Sequence, residues 1–167
     1  MDAMKRRKAG FTLVEVMVAS TIALVILTAA LGVLWMSLTQ WYRMDLFMRA
    51  ADDNTQVLQR MVYGSDGKGG LREADGATIV SDTNGWTLTY VDADSRTNAY
   101  RYNRGPRTIV YVQRSLVLCS NVVLASATTN ALNDGVTLRV VLRATEGRYS
   151  ASNDMSTFVQ LRNRWAL

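Results

Sequence analysis

The chain has 167 residues, 49% hydrophobic and 20% charged, a composition that allows one ordinary domain and excludes two. The formal net charge is +5, but residues 5–8 against Asp2 supply +3 of it, so only +2 remains elsewhere. That remainder argues against a strongly nucleic-acid-binding surface. The sequence has no histidine and one cysteine, Cys119, which excludes histidine-based chemistry and an internal disulfide.

The first predicted element is an apolar segment that follows the basic residues 5–8. Residues 16–42 form a run of 27 positions without a charge, and a bilayer helix needs only about 20 apolar residues. The positive-inside rule places the N-terminus in the cytoplasm and the bulk of the chain on the other side. A cleaved secretory signal is a weaker alternative, because the sequence stays apolar beyond the small residues at 30–32.

Glu15 is unexpected at the start of this apolar run. A carboxylate in a bilayer helix is costly, although the cost falls near the interface and at a helix N-terminus. Glu15 therefore needs water or a cation, unless it only favours the first turn of the helix.

The stretch KAGFTLVEVMVA, residues 8–19, resembles the class III signal of type IV prepilins and pseudopilins. It has a basic leader, Gly10 before the expected scissile bond, Phe11 after it, and then Glu15. The resemblance implies that a prepilin peptidase cuts between Gly10 and Phe11 and methylates the new amine, so the apolar helix is retained. We hypothesise that the amine of one subunit neutralises the Glu15 carboxylate of a neighbour during filament assembly.

The resemblance also implies partners and a location. The expected partners are the prepilin peptidase/methyltransferase, other pilins or pseudopilins, an inner-membrane assembly platform and membrane lipid, with nucleic acid not expected. The expected location is the bacterial inner membrane, single pass, with the N-terminus cytoplasmic and the head periplasmic, and then the filament. The lack of a disulfide-closed loop suggests a minor subunit, whereas the choice between a type II secretion system, a type IV pilus and DNA uptake stays open.

One continuous helix is predicted over residues 11–63, with about 11–36 in the membrane. After the apolar run the pattern becomes amphipathic, with apolar residues recurring at steps near three and four: Leu38, Trp41, Tyr42, Leu46, Met48, Val57, Leu58 and Met61. The run GSDGKGG, residues 64–70, ends the helix. The predicted organisation is a cleaved leader over 1–10, the helix over 11–63 and a β-rich head over 64–167.

Beyond the helix the hydrophobic period changes to two. Strands are predicted at residues 86–91, 98–103, 108–113, 136–143 and 158–162, with one or two more within 115–124. Residues 103–106 form a hairpin turn between the second and third. Short connections and strict alternation predict one antiparallel sheet of about four to seven strands, packed on the second half of the helix. The expected fold class is therefore α+β and pilin-like.

Calcium is the only cofactor that the sequence raises. Asp92-Ala93-Asp94 or Asn133-Asp134 could contribute oxygen ligands, but neither has the ligand spacing of an EF-hand. Turn residues that satisfy their own backbone explain both better, and no metal or cofactor is predicted. Cys119 lies in an apolar run and is predicted to be a small buried hydrophobe rather than a reactive thiol.

Two alternatives from other classes remain open. A DNA-binding minor pilin would need its cations gathered around the predicted turn, and the candidates are Arg101, Arg104, Arg107 and Arg114. A membrane-anchored enzyme would need a concave pocket with convergent carboxylates, but no catalytic residue is nominated by the sequence.

Overall fold

The computed structural model describes residues 11–64, 69–130 and 134–162. The predicted leader, including Gly10, lies outside the described residues, as does Asn133 of the calcium candidates. The chain divides into two units, Met1–Trp41 and Tyr42–Leu167.

Helix α1 runs without interruption from Leu13 to Tyr63, a length of 51 residues. It ends as expected at the glycine-rich run, where Gly64 adopts a φ of +84°. Glycine reaches this left-handed conformation without the steric cost that other residues have, so it commonly follows the end of a helix.

In the first unit the side chains of α1 are exposed almost throughout. Several of its hydroxyl groups bond to carbonyls one turn earlier, as in the 3.0 Å bond from Thr28 Oγ1 to the oxygen of Leu24. Ser20, Thr21 and Thr39 do the same. These polar groups are therefore satisfied within the helix, as an apolar environment requires.

In the second unit α1 buries one face against the sheets. The buried residues are Leu46, Ala50, Asn54, Val57, Leu58 and Met61. Met48, which belongs to the predicted apolar pattern, is exposed instead. Asn54 is buried, and its Nδ2 donates to the oxygen of Val140 at 2.9 Å and to Oδ1 of Asn153 at 3.1 Å. These bonds hold the helix on the sheet beneath it.

The described residues form eight strands in two antiparallel sheets. The first sheet has the order β1-β2-β3-β4-β5, with β1 Gly76–Asp82, β2 Gly85–Val91, β3 Thr97–Asn103, β4 Thr108–Tyr111 and β5 Leu116–Cys119. The second has the order β6-β7-β8, with β6 Val122–Thr129, β7 Gly135–Glu146 and β8 Tyr149–Gln160. The α+β prediction, a long helix packed on antiparallel strands, is confirmed.

The prediction of one sheet is wrong. Asn121, between β5 and β6, has a φ of +62°, a left-handed conformation that asparagine tolerates and that redirects the chain. Strand β6 then pairs with β7 rather than with β5. Two short 3-10 turns, Leu71–Glu73 and Val112–Arg114, complete the fold. Because the second turn begins at Val112, the strand predicted over 108–113 is shorter than expected and stops at Tyr111.

Both sheets and α1 contribute to one core in the second unit. Leu71, Leu88, Ile109 and Leu138 are fully buried there. Trp86 of the first sheet donates from Nε1 to the oxygen of Ala125 in the second at 3.0 Å, which joins the sheets.

Two buried tyrosines link the core to the last turns of α1 and to Gly69, beyond the helix end. Tyr90 Oη donates to the oxygen of Gly69 at 2.7 Å, and Tyr100 Oη donates to the oxygen of Arg60 at 3.2 Å. The two rings stack with centroids 5.5 Å apart. Burial raises the pKa of both phenols, that of Tyr100 to about 12.

Candidate assembly site at the N-terminus of helix α1

Thr12 and Glu15 form a reciprocal cap at the start of α1. Glu15 Oε2 accepts from the backbone N–H of Thr12 at 2.9 Å and from Thr12 Oγ1 at 3.0 Å. The backbone N–H of Glu15 lies 3.3 Å from Thr12 Oγ1. This is the capping-box arrangement, in which a threonine before the first turn and a glutamate three residues later satisfy each other's backbone donors.

The sequence reasoning missed the role of Thr12, although the T-x-x-E spacing before an apolar run was a readable signal. The structure shows that Glu15 does serve the helix start.

The cap uses only one oxygen of the carboxylate. Both Thr12 donors reach Oε2, and within the described residues Oε1 has no hydrogen-bond partner. A shallow groove of about 520 Å³ lies on the same part of the helix, lined by Phe11, Glu15, Val16, Ala19, Ser20 and Ala23. Since Ala19 and Ala23 follow Glu15 at steps of four, small side chains leave the carboxylate open to a close neighbour.

Phe11, the residue expected after the scissile bond, is 87% exposed. Helix α1, which follows, contains an 18-residue stretch with a mean hydropathy of 2.4, and none of this stretch is buried. By length and composition it can cross a membrane.

The carboxylates of the calcium candidates Asp92 and Asp134 form hydrogen bonds within their own turns. Asp92 Oδ1 accepts from the N–H groups of Asp94 and Arg96, and Oδ2 accepts from Asn98 Nδ2 at 2.9 Å. Burial alone would raise the pKa of Asp92, but these hydrogen bonds hold that pKa below its usual value. The Asp134 carboxylate contacts the Asn130 side-chain amide. Among the described residues no three His, Cys, Asp or Glu side chains group closely enough to hold a metal ion.

The four arginines of the DNA-binding alternative are all exposed. Arg104 and Arg107 lie in the β3–β4 turn and Arg101 on β3, whereas Arg114 follows the other end of β4, in the second 3-10 turn. Arg101 lies 3.8 Å from the Asp82 carboxylate, which offsets part of its charge. Arg107 has a φ of +56° in the turn itself. The structure supplies no specific observation that favours a nucleic-acid surface here.

A cleft of about 410 Å³ in the second unit lies between α1, the end of β5 with the loop after it, and the end of β7. Its lining includes Arg49, Asp53, Cys119 and Glu146. Glu146 Oε2 is 3.4 Å from Arg49, which also contacts Asp45 at 2.7 Å, so Glu146 is tied to a cation rather than to a second carboxylate. Burial raises the pKa of Cys119 to about 11, which keeps the thiol protonated at neutral pH.

The comparisons with known proteins agree with the geometry of the N-terminus. The family model of the prokaryotic N-terminal methylation motif matches residues 5–31, which include the Gly10-Phe11 junction and Glu15. Comparisons with curated proteins and with solved structures give no match. This motif is the class III signal of type IV pilin-like proteins, and it indicates processing by prepilin peptidase. Proteins with this motif are structural rather than catalytic.

Proposed function

We propose that the chain is a minor structural subunit, a pseudopilin or minor pilin, of a type IV filament-like apparatus. Prepilin peptidase cuts it between Gly10 and Phe11, and α1 then anchors it in the bacterial inner membrane with the head in the periplasm. The subunit later moves into the filament. The N-terminal methylation motif at residues 5–31 and the apolar, exposed first half of α1 support this proposal.

The observation that carries the assembly step is the half-used carboxylate of Glu15. The capping box engages Oε2 and leaves Oε1 available. In apolar surroundings an ionised oxygen without a partner is strongly disfavoured, whereas pairing it with a cation is favourable. Cleavage before Phe11 produces such a cation on every subunit. When a neighbouring helix packs along Ala19 and Ala23, its terminal amine pairs with Oε1, which gives attraction and axial register together.

Two substitutions separate the charge of Glu15 from its capping role. Glu15→Gln keeps a side-chain oxygen for Thr12 but removes the charge, because glutamine also completes a capping box. Thr12→Ala removes the cap, at about 0.5–2 kcal/mol of helix stability, but keeps the carboxylate. Both variants are measured by immunoblot of the sheared filament fraction against total protein in cells that produce the apparatus.

We expect Glu15→Gln to abolish incorporation, because leaving one member of a buried pair without its partner costs about 3–5 kcal/mol. Thr12→Ala should still be incorporated. Equal incorporation of Glu15→Gln and the unsubstituted chain would exclude the pairing, and an equal defect in both variants would assign Glu15 to capping alone. Mass spectrometry of the membrane-bound chain should show an N-terminus at methylated Phe11, and a chain that still starts at Met1 would contradict the processing step.

A further inference from the structure

The tip of the β7–β8 hairpin packs on the part of α1 where the uncharged run ends. Glu146 and Tyr149 are the last pair of the ladder, and Gly147 and Arg148 form the two-residue turn. Gly147 has a φ of +56°, which suits the first position of a type II′ turn. The Tyr149 ring stacks on that of Tyr42 with centroids 6.0 Å apart and planes 5° apart. The turn and this stack fix the tip beside Tyr42, within the second unit.

Tyr42 is the last of the 27 uncharged residues that begin at Val16. At a helical rise of about 1.5 Å per residue, this run spans roughly 40 Å. A bilayer with its headgroup regions measures about 40–45 Å. The outer end of the run, with Trp41 and Tyr42, therefore falls at the headgroup level, where tryptophan and tyrosine are enriched in membrane proteins.

The charges around the tip leave two cations available. Arg49 contacts two carboxylates, Asp45 at 2.7 Å and Glu146 at 3.4 Å. Within the described part of the chain no carboxylate pairs with Arg43 or Arg148. Arg43, next to Tyr42 in sequence, and Arg148, at the turn, are thus the two cations without a carboxylate partner in this part of the described chain.

Arg148 is held by the aromatic ring beside it. Its guanidinium carbon lies 5.1 Å from the centre of the Tyr149 ring, and Nη2 donates to Tyr149 Oη at 3.0 Å. The stacked guanidinium retains further N–H donors, and its planar fork matches the oxygens of a phosphate group. A shallow groove of about 290 Å³ adjoins it between the tip and Tyr42.

We propose that the tip, Gly147 to Tyr149, together with Tyr42 and Arg43, binds the phosphate groups of anionic phospholipids in the outer leaflet of the inner membrane. The two tyrosine rings lie among the headgroups and the two arginines contact phosphates. The contact orients the head while the subunit waits in the bilayer. This inference rests on the single-span anchorage of the proposed function.

The test uses the full chain reconstituted in vesicles, with Cys119→Ser as background. A fluorescent label is attached at Ser150→Cys or, as the matched control, at Ser156→Cys. Both serines are exposed on β8, and the six-residue separation places them about 20 Å apart along the strand. The quencher is a nitroxide on lipid headgroups, in vesicles of phosphatidylcholine with or without phosphatidylglycerol.

We expect strong quenching at position 150 and little at 156, with the larger signal in vesicles that contain phosphatidylglycerol. Added salt should weaken the signal at 150 in these vesicles. Arg148→Gln should reduce headgroup binding of the tip by about fivefold in anionic vesicles, the effect of one cation near a charged membrane surface. Arg104→Gln, in the exposed β3–β4 turn, removes the same charge elsewhere and should leave the signal unchanged.

Equal quenching at positions 150 and 156 would overturn the proposal, as would a signal indifferent to phosphatidylglycerol or to Arg148→Gln. Extraction with alkaline carbonate separates this failure from that of the anchorage. A chain that stays in the vesicles but is not quenched at 150 refutes only the lipid contact. A chain that alkaline carbonate removes refutes the anchorage and the contact together.

Discussion

The two units of the chain complete their apolar surfaces in different ways. In the second unit, Leu138, Ile109 and Leu88 are buried by other residues of the same chain. In the first unit the apolar side chains of α1 are exposed almost without exception, so other molecules must cover them. The family match also falls on the N-terminal part, residues 5–31. The segment that matches a known family is therefore the segment whose apolar surface must be covered by other molecules.

The largest difference in head stability should appear when a leucine is replaced by alanine in one unit and then in the other. Leu138→Ala should destabilise the head by about 2–5 kcal/mol, because it opens a cavity in a fully buried site. Leu24→Ala removes the same atoms from a side chain that is 63% exposed and should leave head stability unchanged. Urea unfolding of the full chain in detergent, followed by tryptophan fluorescence, measures both. Equal effects would contradict the view that only the head is stabilised by its own packing.

A glycine pair tests how tightly the head backbone is packed. Gly85 has a φ of +148°, and a Cβ there would collide with the backbone oxygen of Tyr102 on β3. Gly85→Ala should therefore cost about 1–3 kcal/mol. Gly105→Ala, in the β3–β4 turn with no atom within 4 Å of the new Cβ, is the control and should be close to neutral. Similar unfolding midpoints for the two variants would argue against close packing at β2.

Tyr100 should make the head sensitive to alkali. Burial raises its pKa to about 12, whereas the unfolded phenol ionises near pH 10. The unfolded state then loses its proton first, so head stability is fully present below about pH 10 and falls as the pH rises toward about 12. Tyr100→Phe should flatten this part of the profile and cost about 1 kcal/mol at pH 7, since the bond to Arg60 is lost. An unchanged alkaline slope in the variant would refute the assignment.

The smallest effect is expected on the exposed face of the second sheet. Arg139 donates two hydrogen bonds to Asp154, and this contact lowers the pKa of that carboxyl. The associated stability is present above the ordinary aspartate pKa and is lost as the pH falls through the lowered value. Arg139→Gln should return the Asp154 pKa toward its usual value in an NMR titration. Arg143→Gln, four residues further along β7 on the same exposed face, should not.

The sequence predicted the elements whose residues carry their own signals. The helix end at Tyr63 follows from the glycine-rich run, and β2, β3 and β7 show the alternation of a half-buried strand. The segment of β8 from Tyr149 to Thr157 shows only a weak alternation, because three of its nine residues are serine and its inner positions include Ala151 and Asn153. It becomes a strand because β7 offers a partner at each of its 12 positions and α1 packs on its inner side. That is tertiary information, which no local pattern contains.

The same distinction applies at the candidate site. Gly10, Phe11 and Glu15 could be nominated from the motif alone, since each is specified by its place relative to the basic leader and the apolar run. It could not be predicted that the cap uses Oε2 of Glu15 and not Oε1, because this depends on the side-chain rotamer that Glu15 adopts when it bonds to Thr12. The packing of Tyr149 on Tyr42 joins residues 107 positions apart in sequence and becomes visible only once the hairpin is folded.

The unbroken backbone ladder of α1 has a mechanical consequence. If the head is pulled, the load passes along successive hydrogen-bonded turns, with no proline to interrupt them between Leu13 and Tyr63. Gly32 is the weakest point of that ladder, because glycine gains the most backbone freedom when a helix unravels. We expect stretching to begin there, within the apolar half, and to lengthen the subunit while the folded head stays intact.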